Sequence, residues 1–174
     1  MIGALAERVP QLEVAVSGTT RPQRAGEQDG REYWFLSDEE FERRVEAGDF
    51  LEHVGFVAAR YGTLRSELDR IAADGRICVL ELEIEGALLV QDEVGGSVTL
   101  FIAADVAELE RRLRERATES SGEIDERITL ARRQLEQAHR FRYVVRNDDV
   151  RRATDALAAL VEAELAFAGT MARP

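Results

Sequence analysis

Short apolar runs alternate along this chain with stretches of helical period, and that alternation leaves few folds open. Leu12 to Ser17, Arg76 to Glu83 and Ser97 to Ala103 are rich in Val, Ile and Leu. They are too short for independent helices, and they read as strands. Helical patterns follow them. Strands alternating with helices predict an α/β fold with a mainly parallel sheet flanked by helices. A chain of 174 residues suits a single packed core.

The remaining elements can be placed between those strands. Residues 1–8 have helical period with no N-cap ahead of them, and Pro10 ends that segment. Glu32 to Leu36 reads as a short aromatic strand. Ser37-Asp38-Glu39-Glu40 has the capping-box spacing and opens a helix to about Ala47, which Gly48 stops. Phe50 to Tyr61 reads as short strands around turns. Thr63 or Ser66 starts the next helix, to about Ala73. Helices are expected over about 85–94, from Asp105 into R-R-L-R-E-R, and over about 124–140, with a polar turn at 117–123 between the last two. Tyr143 to Arg146 is a last strand. Asp148 or Asp149 caps a final helix whose Leu157, Leu160, Val161 and Leu165 form one apolar stripe. Residues 32–75 look like an insertion between strands of the main sheet, which consists of 1–31 and 76–174.

Composition removes several classes. Net charge is −11, so the overall field repels nucleic acid and phosphate. Any anion site must be a local cluster of cations. All 23 basic residues are arginine, which excludes a lysine-based phosphate loop or Schiff base within this sequence. The single Cys78, in I-C-V-L, reads as a buried thiol and permits no internal disulfide. No signal peptide or bilayer-length apolar run is present, so a soluble, cytoplasmic chain is expected. No metal-ligating set is evident. Nucleic-acid binding through R-R-L-R-E-R is disfavoured by the interleaved glutamates.

Ser17 to Tyr33, S-G-T-T-R-P-Q-R-A-G-E-Q-D-G-R-E-Y, carries the chemistry. Arg21 and Arg24 supply planar forks suited to bidentate phosphate binding. Ser17, Thr19 and Thr20 add hydroxyls that donate or accept. Pro22 and Gly26 mark a loop. Tyr33 offers a ring with a phenolic tip. The loop follows a strand's carboxyl end, where open parallel sheets bind ligands. The competing reading is a surface turn whose arginines pair with Glu27, Asp29 and Glu32.

The pattern S-x-T-T-R-x-x-R-x-G-E-x-x-G-x-x-Y closely resembles the GMP-binding signature of guanylate kinases. The similarity continues through Tyr61-Gly62-Thr63, Glu81-Leu82-Glu83, the Arg112 to Arg127 segment and Val145-Arg146-Asn147-Asp148, over roughly residues 1–165. It implies a P-loop-kinase-like core with a lid at about 112–127 and a GMP-binding insertion. It also implies phosphoryl transfer from ATP to GMP in purine nucleotide metabolism, with Mg²⁺ bridging the ATP phosphates, in a monomer or homodimer. By the resemblance, Arg21, Arg24, Tyr33 and Tyr61 hold the GMP phosphate. Glu52 and Glu83 accept from the guanine edge, and Ser17 and Thr63 lie near its carbonyl. Arg112, Arg116 and Arg127 close over the transferring group, and Asn147 and Asp148 lie near the ATP base. Glu81 fits the bacterial pattern. Glu83 stands where the family has Asp, and Ala117 where it has Gly. Guanine shows two donors on one edge and adenine shows an acceptor at N1, so one carboxylate accepts from the first and is left unpaired by the second.

The family begins with a strand, then G-x-x-x-x-G-K-[ST], then a helix. This sequence starts within that helix, and the glycine pattern does not occur in it. The expectation is an incomplete chain, from a start placed too late at Met1, with the donor loop in residues not shown. The alternative is a variant that fills the gap by dimerising or exchanging a segment. A catalytically inactive domain that binds GMP or a protein partner stays open as a second function.

Overall fold

Helix α1 (Ile2–Arg8) opens the chain, and Leu5 is its buried residue. The structure, a computed structural model, describes residues 1–56, 58–116 and 121–171. The side chains of residues 56, 108, 112, 113, 115, 116, 121, 123, 126, 127 and 169–171 are outside that description. The chain forms two units, Pro10–Ser97 and Met1–Val9 with Val98–Pro174.

In the first unit, strand β1 (Leu12–Val14) leads into β2 (Gly18–Thr19), then β3 (Trp34–Phe35) and helix α2 (Asp38–Glu46). Strands β4 (Phe50–Phe56) and β5 (Ala59–Leu64) form a hairpin, followed by α3 (Arg65–Ala73), β6 (Ile77–Val79) and α4 (Ile84–Glu93). β1 and β6 pair in parallel, from Leu12 opposite Ile77 to Val14 opposite Val79. The other strands make a mixed four-stranded sheet in the order β3-β2-β5-β4. α2 starts where the capping box predicts, since the Ser37 hydroxyl accepts from the Glu40 N–H at 3.1 Å. α3 is led by Leu64 without a side-chain cap, so neither Thr63 nor Ser66 starts it. The strand expected over 76–83 is shorter, because its partner β1 offers only three residues to pair with.

One core cluster sits here. Phe41 is fully buried and stacks on Phe50 with ring centroids 4.5 Å apart. Leu64 completes it, with Trp34, Leu36 and Val45 against the rim. Full burial of such a side chain is worth about 1.5–3 kcal/mol.

The second unit holds α1, β7 (Leu100–Ala104), α5 (Val106–Arg116), α6 (Ser121–Glu136), a 3₁₀ turn (Ala138–Arg140), β8 (Tyr143–Asn147) and α7 (Val150–Met171). β7 and β8 pair in parallel, from Leu100 opposite Tyr143 to Ala104 opposite Asn147. Asp105 caps α5, accepting from Ala107 N–H at 2.9 Å. Ile124 and Ile128 of α6 pack against Val106 and Leu109 of α5. α6 therefore begins within the turn expected at 117–123, and the long helix breaks near Gln137. Residues 117–120 of that expected turn lie outside the described residues. Asp149 caps α7, accepting from Arg152 N–H at 2.9 Å. Arg8 pairs with Asp155, tying α1 to α7. No helix among the described residues is long and apolar enough to cross a membrane. The architecture is the α/β one the sequence predicts.

Candidate functional site

The β4–β5 hairpin positions Glu52, Tyr61 and Thr63. Phe50 pairs with Leu64 and Glu52 with Thr63, so Leu51 is an extra residue, a β-bulge. Thr63 and Leu64 are adjacent and point to opposite faces. The bulge therefore turns Phe50 to the face packed on α2 and Glu52 to the other. Without it, residues 50 and 52 would share a face and Glu52 would point at Phe41. Past the bulge, Val54 lies opposite Tyr61, which puts Tyr61, Thr63 and Glu52 on one face. Gly62 lies between them. A Cβ there would meet the Glu52 carbonyl and the Phe50 ring, each at 2.8 Å, so the strands approach this closely only with glycine.

Glu52 is 5% exposed. Thr63 Oγ1 donates to its Oε1 at 2.8 Å. Burial raises the Glu52 pKa, and the Thr63 hydrogen bond offsets this in part. On the sequence alone Glu52 would more often be a strand-surface residue, and the structure buries it. Glu83 is the residue that leads into α4; its carboxyl is also raised by burial. The Ser17 carbonyl accepts from Trp34 N–H at 2.9 Å, which seats β3 beside β2.

The loop from 19 to 33 is held by its own polar groups. Thr19 Oγ1 donates to the Arg60 carbonyl at 3.0 Å and accepts from Arg21 N–H at 3.1 Å. Thr20 Oγ1 accepts from Arg60 N–H at 3.1 Å. Both threonines thus fasten the loop to β5. Asp29 accepts from Phe35 N–H at 2.8 Å. Arg21 donates from Nη1 and Nη2 to the two Glu27 oxygens at 3.1 and 2.8 Å, and from Nη1 to the Pro22 carbonyl at 2.8 Å. Those bonds use three of its five N–H donors. The side-on fork, Nε–H with one Nη2–H, is not used by Glu27 or Pro22. The Arg21 pairing of the surface-turn reading is therefore real, and the guanidinium also hydrogen-bonds Tyr61.

Rings frame that fork. The Arg21 guanidinium lies 5.3 Å from the Tyr33 centroid and 5.7 Å from that of Phe35. Tyr33 and Tyr61 meet edge-on at 6.0 Å. Burial raises the Tyr33 pKa, so its hydroxyl stays protonated at neutral pH and can donate. Glu27 holds the Arg21 cation, raising its pKa, and Arg21 in turn keeps the Glu27 carboxyl below the usual range. The Arg24 guanidinium is exposed and makes no hydrogen bond or ion pair among the described residues; its backbone N–H donates to Glu27 Oε2 at 2.8 Å.

The structure thus brings Arg21, Tyr33 and Tyr61 together, joins Arg24 to them through Glu27, and joins Glu52 to Thr63. Gly62 and the Leu51 bulge are site features that motif reading did not single out, and Glu27 enters there only as the arginine partner of the surface-turn reading. The glycine and the acid stand inside recognised motifs, but the bulge has no local signal.

In the other unit, Asn147 ends β8, and Asp148 pairs with Arg152 at 3.3 Å while Asp149 makes the cap. A cleft beside them is lined by Ala103 to Ala107, Leu135 and Arg146. Arg112 and Arg116 lie on α5 and Arg127 on α6, with side chains outside the described residues. Among the described residues no group of three or more His, Cys, Asp or Glu could hold a metal ion.

Residues 2–164 match the family model described as Guanylate kinase. The chain is 44% identical over 162 residues to a guanylate kinase of Frankia casuarinae, covering 92% of this chain and 88% of that protein. It is 42% identical over 154 residues to a guanylate kinase of Deinococcus radiodurans, covering 87% of this chain and 64% of that longer protein. The crystal structure of guanylate kinase from Anaplasma phagocytophilum superposes with a TM-score of 0.75 at 26% identity, over 93% of this chain and 81% of that one.

Proposed function

The chain belongs to the guanylate kinase family of nucleotide kinases, and we propose from that premise how its residues divide the work of moving the γ-phosphoryl group of ATP to GMP. The observation that carries the assignment is the buried Glu52–Thr63 pair on the same strand face as Tyr61. The Glu52 carboxylate accepts from guanine N1–H and N2–H, and Glu83 supports the same edge. Ser17 offers its hydroxyl to the carbonyl side, and Thr63 donates its hydrogen bond to Glu52 and holds that acid in place. The GMP phosphate takes the side-on fork of Arg21, the guanidinium of Arg24 and the hydroxyls of Tyr33 and Tyr61. Glu27 fixes the far end of the Arg21 fork, so little side-chain entropy remains to be lost on binding.

The reaction asks little covalent work of the protein. An oxygen of the GMP phosphate attacks the γ-phosphorus in line, the bond to the ADP oxygen breaks, and charge spreads over the equatorial oxygens. Arg112, Arg116 and Arg127 neutralise that charge as the lid closes. Asn147 and Asp148 lie at the ATP base. Mg²⁺ enters as part of the Mg·ATP substrate. The reading extends to purine nucleotide metabolism in the cytoplasm, with GMP and ATP as partners.

A coupled ADP-release assay with ATP and either GMP or AMP tests this. Turnover with GMP at least a hundredfold above AMP is expected. Retained GMP binding without turnover would leave a binder, and equal rates would remove the base assignment.

A further inference from the structure

We infer that Gly86 is a positioning residue for guanine recognition, because the Glu52 carboxylate occupies the space its side chain would take. This rests on the reading of Glu52 as a base-side acid. Gly86 is buried in the first turn of α4, and a Cβ built there would lie 2.5 Å from Glu52 Oε2 and 3.1 Å from its Cδ. The other oxygen, Oε1, is tied to Thr63. One oxygen is thus hydrogen-bonded to β5 and the other rests on bare helix backbone, which fixes the plane of the acid.

The crowded atom decides the outcome of adding a methyl group. Oε2 is the far end of a flexible side chain, so the protein yields there cheaply and the fold survives. To reach ordinary contact the oxygen must retreat from 2.5 Å to about 3.4 Å. A carboxylate displaced by that much no longer presents the distance and angle that a base N–H at about 2.9 Å requires. Alanine is also a better helix former than glycine. The substitution should therefore leave stability intact and spoil recognition, a separation that a purely structural glycine does not give.

The test is calorimetric titration of the full chain with GMP and with IMP, which lacks the N2 amino group. Gly86→Ala is expected to weaken GMP about tenfold or more, to weaken IMP less, and to hold or raise the melting temperature. In a Glu52→Ala background, adding Gly86→Ala should change GMP affinity less than twofold. Unchanged GMP affinity in Gly86→Ala, or an equal further loss in the Glu52→Ala background, overturns the inference. Unchanged GMP affinity in Glu52→Ala alone overturns the base-site reading and the inference with it. Should Gly86→Ala lose its helical circular dichroism, Glu52→Asp withdraws the acid by one methylene. The double variant Glu52→Asp/Gly86→Ala should then fold, and its failure to fold would show that the crowding is not with Glu52.

Discussion

Replacing Glu52 by Gln keeps the shape of the side chain and removes its charge, and two opposed effects follow. The first is on the ligand. An amide oxygen accepts one guanine N–H, while the amide NH₂ faces the other, donor against donor. One charge-assisted hydrogen bond is lost, about 1.5–3 kcal/mol, and a base donor is left unpaired, about 1–3 kcal/mol. The sum, roughly 2.5–6 kcal/mol, weakens GMP on the order of 10²- to 10⁴-fold. Adenine N1 can accept from the new NH₂, so AMP improves and the selectivity ratio collapses. The second effect is on the empty protein. Burial raises the Glu52 pKa in the folded state. The proton is then bound more tightly when folded, so the stabilisation is complete below the unfolded carboxyl pKa and is lost as pH rises through the raised one. Glu52→Gln has no such loss. Its melting temperature should equal or exceed that of the native chain at pH 8, with the advantage narrowing toward pH 5. Competition titrations with GMP and AMP and thermal melts at the two pH values measure both. An unchanged GMP/AMP ratio would remove Glu52 from the base, and an advantage that widens on acidification would refute the burial argument.

Arg24→Ala removes an exposed cation that makes no hydrogen bond or ion pair among the described residues, so stability should change by no more than about 0.5 kcal/mol. GMP should weaken far more than ATP, and equal losses would count against the phosphate assignment. Arg21 holds the Glu27 carboxyl below its usual range. The contribution of that pair is therefore present above the unfolded pKa and lost only as pH falls through the lowered one. The guanidinium NMR signal of Arg21 should hold down through about pH 4.3, the ordinary Glu value, and a transition at or above it would show the pair to be weak. Phe41→Ala should cost about 3–5 kcal/mol in urea unfolding, and a loss under 1 kcal/mol would mean that this cluster is not the core of its unit. Asp149→Ala should cost about 1 kcal/mol as a lost cap, against less than 0.5 kcal/mol for Asp148→Ala; the reverse order would misplace the cap.

Local chemistry was legible and cross-strand chemistry was not. The Ser37 capping box predicts α2 and its cap to the residue, because all its atoms lie within four residues. The alternation of strands and helices predicts the α/β architecture. The burial of Glu52 could not be read, since it depends on a bulge defined only against Thr63 and Leu64. By type, Thr19 and Thr20 are hydroxyls that donate or accept, and in the fold they are committed to the Arg60 backbone, about forty residues away. Glu67 carried no motif, yet it is buried, pairs with Arg70 and accepts from Val16 N–H at 3.1 Å, just ahead of Ser17. Apart from Arg70, each of these partners lies on another element, and a residue's type does not say which strand will lie beside it.

The hairpin register also fixes a length. Thr63 and Tyr61 are two residues apart on one face, so these two marks are separated by backbone pitch, about 7 Å. The strand serves as a ruler. Substitutions can blur a mark, whereas only a residue inserted or deleted in the hairpin can rescale the measure.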